Sequence, residues 1–98
     1  MRIRFERSGG FAGIRLSRVF DSKDLLPSDA NQLASLIERS HFFELPPELK
    51  CVSPGVDRFQ YRLTVEDEQR ISTVEASEAS VPEEMRPLID WLTRRSRP

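Results

Sequence analysis

Apolar and polar residues alternate along the first part of the chain. In residues 2–7, Ile3 and Phe5 fall on one face and charged side chains on the other, the period-two pattern of a strand with one buried face. Ser8-Gly9-Gly10 predicts a turn, and residues 11–20 alternate again. We therefore predict that the first two strands pair as an antiparallel hairpin.

The apolar spacing then changes to that of a helix. Leu33 and Ile37 lie on one helical stripe, and Ser28 is a candidate N-cap for this helix. We expect the helix to end near Ser40, because Pro46-Pro47 stops any continuation.

The strongest strand pattern of the chain lies in its second half. Four alternate residues are predicted to face inward on this strand, Phe59, Tyr61, Leu63 and Val65. A polar turn at residues 66–69 leads into a shorter strand at residues 70–75. These two strands extend the sheet begun by the first hairpin.

A second helix is predicted near the C-terminus. Ser80 and Glu83 match a capping box, and the buried face would consist of Leu88, Ile89, Trp91 and Leu92. In ββαββα order, the elements predict an α+β fold with a four-stranded, mainly antiparallel sheet and two helices packed on one face. Residues 1–98 are expected to form a single domain.

The face of the sheet without helices is expected to meet solvent. The alternation gives this face six polar side chains, Arg2, Arg4, Arg15, Arg58, Gln60 and Arg62. It is therefore predicted to be a basic, hydrogen-bonding surface.

The composition narrows the functional classes. A net charge of −1 argues against a dedicated nucleic-acid partner, which normally needs a net basic footprint. An RNA-binding sheet would expose aromatic residues, whereas Phe5, Phe59 and Tyr61 alternate onto the apolar face. Cys51 is the single cysteine and forms no intramolecular disulfide. Without an apolar leader or membrane span, we expect a cytoplasmic protein with no membrane partner.

The residues that carry chemistry do not form a recognisable catalytic or metal-binding pattern. His41 and Cys51 are ten residues apart, and one of each is too few for a metal site. The acids of residues 66–68 and Glu83-Glu84 lie where a turn and a first helical turn favour them. The glycines of the first hairpin lack the following helix of a phosphate loop. We therefore expect no catalysis, no cofactor and no metal.

Four stretches of the chain, in this order, resemble the sequences of a known family. They are RFERSGGFAGIRL at 4–16, LIERSHFFELP at 36–46, DRFQYRLTVEDE at 57–68 with ISTVE at 71–75, and VPEEMRPLIDWL at 81–92. The chain resembles the emfourins, small protein inhibitors of protealysin and other thermolysin-like metalloproteases. The resemblance implies a bacterial protein that blocks the active-site cleft of such a protease by tight binding.

The first hairpin loop is the main candidate for protease contact. A slim loop can enter a cleft and pair its backbone with the cleft edge, and the residues concerned are Ser8, Gly9, Gly10, Phe11, Ala12 and Gly13. The competing interpretation is a flexible turn with Phe11 packed on the core. Secondary candidates are Asp57, Arg58, Tyr61 and Arg62. For two of them a structural role is the favoured interpretation, Tyr61 as a core residue and Asp57 as a turn cap.

Two further contacts with the protease are possible. Thermolysin-like enzymes, which the resemblance implies, favour apolar side chains beside the scissile bond, so Phe11 or Leu25-Leu26 would serve as anchors. The free N-terminus is another candidate for approach to the catalytic zinc.

The alternative function is a non-enzymatic interaction module whose arginine-bearing sheet face binds an acidic partner. In either case we expect a monomer when the protein is free.

Overall fold

A computed structural model gives the fold, and it describes residues 1–9, 15–49 and 59–96. The strands and helices in this part are β1 (Arg2–Gly9), β2 (Leu16–Asp21), α1 (Pro27–Arg39), β3 (Glu48–Leu49), β4 (Phe59–Glu66), β5 (Ile71–Ser77) and α2 (Arg86–Ser96). Short 3₁₀ turns are Ser22–Asp24, Phe42–Glu44, Glu78–Ser80 and Glu83–Met85. The predicted α+β fold is confirmed.

Within the described ranges, the strands form one sheet in the order β2-β1-β4-β5-β3. The four predicted strands are antiparallel neighbours, with Phe5 opposite both Arg18 and Leu63. The two-residue strand β3 is an addition that runs parallel to β5, where Glu48 pairs with Glu75. The sequence did not predict β3, because two residues carry no alternation.

The buried side chains form one core between the sheet and the two helices. The inward faces of β1 and β4 supply Ile3, Phe5, Leu63 and Val65, while α1 and α2 supply Leu33, Ile37, Leu88, Ile89, Trp91 and Leu92. The helices are also joined at the surface, since the Arg95 guanidinium donates two hydrogen bonds to the Asp29 carboxylate, at 2.9 and 3.1 Å. The apolar stripes predicted for both helices are therefore confirmed.

The observed helix starts differ from the predicted caps, by two residues at α1 and by more at α2, which begins at Arg86. Helix α1 begins at Pro27, and its N-cap Leu26 makes no side-chain capping bond. Proline suits the first helical position, because its fixed φ matches the helix and the N–H that it lacks would have no partner within the helix. Near the second helix, Ser80 forms a capping box with Ser77 across the Glu78–Ser80 turn, where the Ser77 N–H donates to Ser80 Oγ at 3.0 Å.

The open face of the sheet is mixed in charge, not basic as predicted. Acidic residues alternate onto the same face as the arginines, so that Arg2 lies 3.9 Å from Asp21 and Arg62 lies 3.4 Å from Glu75. Arg2 is also opposite Glu66, and Glu6 is opposite Arg62. Residues directly opposite in antiparallel strands share a face, which is why the register decides the charge. Arg58 lies outside the described residues.

His41 turns the chain at the end of α1. Its φ of 54° and ψ of 41° make it the one non-glycine residue with positive φ in the described part of the chain. Its backbone N–H donates to the Glu38 carbonyl at 3.1 Å, and the turn carries Phe42 into the core.

Replacing His41 by valine is expected to lower the free energy of unfolding by about 1–2 kcal/mol, since the left-handed conformation is costly for a residue with a Cβ and more so for a branched one. The His41 side chain is 67% exposed, so little burial is lost with it. Urea unfolding would measure the change, and His41→Gly should not share the loss. Equal stability of the valine variant and the wild type would contradict the expected cost of the left-handed backbone at residue 41.

Candidate functional site

The predicted contact residues lie at two opposite ends of the sheet. Ser8 and Gly9 close strand β1 at what we term the hairpin end. Met1 and the Leu25-Leu26 pair lie at the other end, which we term the Met1 end, because the Ser22 N–H donates to the Met1 carbonyl at 2.9 Å. Strand β1 has eight residues, so the ends are separated by about 25 Å at a rise of ~3.3 Å per residue.

At the hairpin end, Ser8 pairs with Gln60 and Gly9 with Phe59. Gly9 has a φ of 86°, which glycine adopts without steric cost as the chain leaves the strand. The candidates Gly10, Phe11, Ala12, Gly13, Asp57 and Arg58 lie outside the described residues. The pairing of Gly9 with Phe59 nevertheless shows that the residues flanking both candidate segments are neighbours.

Tyr61 belongs to the core, in agreement with the competing interpretation. Its ring stacks on Phe5 with centroids 6.1 Å apart, and burial raises the pKa of its hydroxyl, with the negative charge of Glu78 adding to the shift. Arg62 is exposed on the open face and forms an ion pair with Glu75. Of these two secondary candidates, only Arg62 has a side chain that is exposed for contact with the protease.

An unpaired polar atom also lies near the hairpin end. The Arg7 guanidinium stacks on the Phe59 ring at 4.2 Å, a cation–π contact that covers the exposed edge of the core. Its buried Nε has no hydrogen-bond partner within the described residues.

At the Met1 end, Leu26 is a large apolar side chain that the fold leaves 68% exposed. Leu25, by contrast, is half-buried and packs against the core. Both residues have extended backbone, with φ/ψ of −96°/153° for Leu25 and −59°/147° for Leu26. A segment with this backbone can lie along the edge of a cleft.

The Leu25-Leu26 segment is held on both sides. Before it, the Asp21 carboxylate accepts a hydrogen bond from the Lys23 N–H at 3.0 Å, and this bond is the main cause that lowers the pKa of Asp21. After it, the Leu26 carbonyl accepts the Ala30 N–H at 2.9 Å as α1 begins at Pro27. The Leu26 side chain is therefore presented from a fixed backbone.

The N-terminal candidate lies at the same end as this segment. The Met1 amino group donates to Ser22 Oγ at 3.2 Å, and Ser22 begins the short turn that leads to Leu25. Two of the sequence-based candidates, which are far apart in the chain, are thus brought together by the fold.

The described ranges contain no group of three or more His, Cys, Asp or Glu residues placed to bind a metal ion. Neither described helix is long and apolar enough to cross a membrane.

The comparisons with known proteins decide the family. The emfourin family model matches residues 5–93. The chain belongs to the emfourin family. A solved structure that is similar to this emfourin is Emfourin (M4in) from Serratia proteamaculans, an M4 family peptidase inhibitor, with a TM-score of 0.50 and 21% sequence identity over 99% of this chain and 90% of that one. At this identity the likeness shows the shared fold. No curated protein matches the chain.

In this emfourin, the sequence pattern favoured the hairpin loop over Leu25-Leu26 as the contact. A local signal was present, because the residue before a proline is restricted to extended backbone and Leu26 precedes Pro27 in an otherwise polar segment. That signal predicts an extended apolar residue outside any strand or helix.

Proposed function

We propose that this emfourin is an inhibitor of a thermolysin-like zinc metalloprotease of the protealysin type, and that it blocks the active-site cleft by tight binding. Membership of the emfourin family supports the proposal, as does the similar fold of an M4 family peptidase inhibitor. The observation on which the proposal depends most is the extended and 68% exposed Leu26.

Leu26 supplies the apolar side chain that such a cleft is expected to prefer. The Leu26 side chain fills a pocket of the cleft, while the peptide group that joins Leu25 to Leu26 hydrogen-bonds to the cleft edge. Because hydrogen bonds hold the segment before and after the pair, little conformational entropy is lost on binding. A rigid, preorganised segment of this kind favours tight binding.

The cleft contact belongs at the Met1 end in this proposal. A cleft that accommodates Leu26 does not also accommodate the hairpin end, about 25 Å away along β1. Contacts by residues 8–13, Asp57, Arg58 and Arg62 therefore stay a separate prediction. Variants of Leu26 distinguish between the two contact sites.

The alternative interaction module receives no comparable support. It required a basic sheet face, and the described face instead carries Glu6, Asp21, Glu66 and Glu75 among its arginines. An acidic partner would meet like charges there, which lowers its affinity.

The proposal is tested by titrating protealysin or another thermolysin-like protease with this protein and measuring residual activity on a peptide substrate. We expect a linear loss of activity that ends at one inhibitor per enzyme, as tight binding requires. A serine protease assayed in parallel should keep its activity. Mass spectrometry should show the inhibitor intact, since cleavage would make it a competing substrate. Undiminished activity at excess inhibitor, across several such enzymes, would contradict the proposal.

A further inference from the structure

A groove beside the Met1 end has no role in the Leu26 contact. Its volume is about 410 Å³, and three parts of the chain form it: the C-terminal half of α1, the Phe42–Glu44 turn, and the turn between β4 and β5. Met1 is also part of its lining. The groove therefore lies next to the first residue of the chain, whose carbonyl accepts the Ser22 N–H ahead of Leu25.

The floor of the groove is apolar and aromatic. Phe42 is buried, and Phe43 meets it edge to face with ring centroids 5.7 Å apart. Ile37 and the small side chain of Ala34 complete the helix side. Such a surface suits the aliphatic stem of a long side chain better than a free ion.

One side of the groove already holds a guanidinium group. Arg70 lies over the Phe43 ring at 3.9 Å and 3.5 Å from the Asp67 carboxylate. That carboxylate also accepts the backbone N–H groups of Gln69 and Arg70, at 2.8 and 2.7 Å, and these bonds lower the pKa of Asp67. The charges of Asp67 and Arg70 therefore compensate each other within the groove.

Two other acids of the rim lack such compensation. Glu38 is exposed and has no ion-pair partner in the part of the chain that the structure describes. The Glu44 side chain is 81% exposed, and its neighbour His41, 3.5 Å away, is charged only if protonated. The one further cation of the lining, the Met1 amino group, donates to the neutral Ser22 Oγ and keeps its charge. With His41 neutral, the three acids of the lining outnumber its two cations by one, so the groove combines an apolar floor with a weakly negative rim.

We propose that the groove receives an arginine or lysine side chain from the rim of the inhibited protease's cleft, an inference that rests on the proposed function. The stem of that side chain covers Ala34 and Phe43, and its cationic head lies between Glu38 and Glu44, where charge-assisted hydrogen bonds are available.

The position of the groove relative to Leu26 supports this occupant. Ala34 follows Leu26 by eight residues, and at ~1.5 Å per helical residue it lies about 12 Å along α1. A standard interface covers about 800 Å² on each partner, a patch about 30 Å across. Ala34 therefore lies within the radius of an interface centred on Leu26.

The test compares two double charge reversals of the inhibitor, Glu38→Lys with Glu44→Lys in the groove and Glu83→Lys with Glu84→Lys as the control. Glu83 and Glu84 are exposed acids that follow β5 beyond its Ser77 end, so both variants change the net charge equally. Dissociation constants for a thermolysin-like protease are measured from inhibition kinetics at low and at high salt. Thermal unfolding first confirms that each variant is folded.

We expect the groove variant to bind about 10- to 100-fold more weakly at low salt, because it opposes like charges, and the control to stay within about threefold of the wild type. The gap should shrink in 1 M salt, where the Debye length is about 3 Å. Equal affinities of the two variants would overturn the groove contact and leave the proposed function intact. Failure of the wild type to inhibit would overturn both.

Discussion

Replacing Leu26 by alanine is expected to weaken protease inhibition by about 30- to 1,000-fold, the range of a central interface residue whose truncation costs about 2–4 kcal/mol. Leu26→Asp should weaken it further, because a carboxylate would be buried without a partner. The fold should not suffer, since the side chain is 68% exposed and such surface changes stay within about 0.5 kcal/mol. Inhibition constants and unfolding temperatures, measured on the same samples, check both statements.

Ile71→Ala is the matched control for this experiment. Ile71 is 66% exposed and lies at the Met1 end of strand β5, opposite Glu66, on the sheet face without helices. Its truncation removes a similar exposed apolar surface, and we expect inhibition to change by no more than about threefold. If Leu26→Ala inhibited as well as Ile71→Ala, the cleft contact would have to move to the hairpin end, where Ser8 and Gly9 lie.

The sheet could be predicted from the sequence because one of its faces is buried and the other is not. The alternation of apolar and polar residues in β4 predicts burial at every second residue, and Tyr61, Leu63 and Val65 are buried. Helix starts were less predictable, since Ser28 and Ser80 are good caps in isolation but the prolines and the preceding turns fix where α1 and α2 begin. Local propensity was there overridden by the surrounding chain.

The candidate site was harder to predict, because its properties depend on tertiary packing. Leu25 and Leu26 are identical in chemistry and adjacent in sequence, yet one packs against the core and the other is exposed. Only the path of the chain from β2 into α1 decides which is which. The charge of the open face depended in the same way on strand register, which placed Asp21 beside Arg2.

Phe5→Ala is the substitution expected to destabilise the protein most. Phe5 is 0% exposed on β1, the strand between β2 and β4, where it stacks on Tyr61 and lies opposite the fully buried Leu63. A cavity of this size in a close-packed core costs about 3–5 kcal/mol. Since domains are stable by about 5–15 kcal/mol, the variant should lose a large fraction of its stability and unfold about 12–40 °C lower.

The comparison of Phe5→Ala with Val19→Ala separates core packing from strand propensity. Val19 lies on the neighbouring strand β2 and is 50% exposed, so its truncation should cost about 0.5 kcal/mol or less. Differential scanning calorimetry of both variants measures the difference. Because Phe5 lies in the core and not at the Met1 end, the folded fraction of Phe5→Ala should still inhibit the protease at low temperature. Loss of inhibition by fully folded Phe5→Ala would instead mean that the packing of β1 sets the position of Leu26, through Met1 and the Ser22 turn that β1 and β2 hold together.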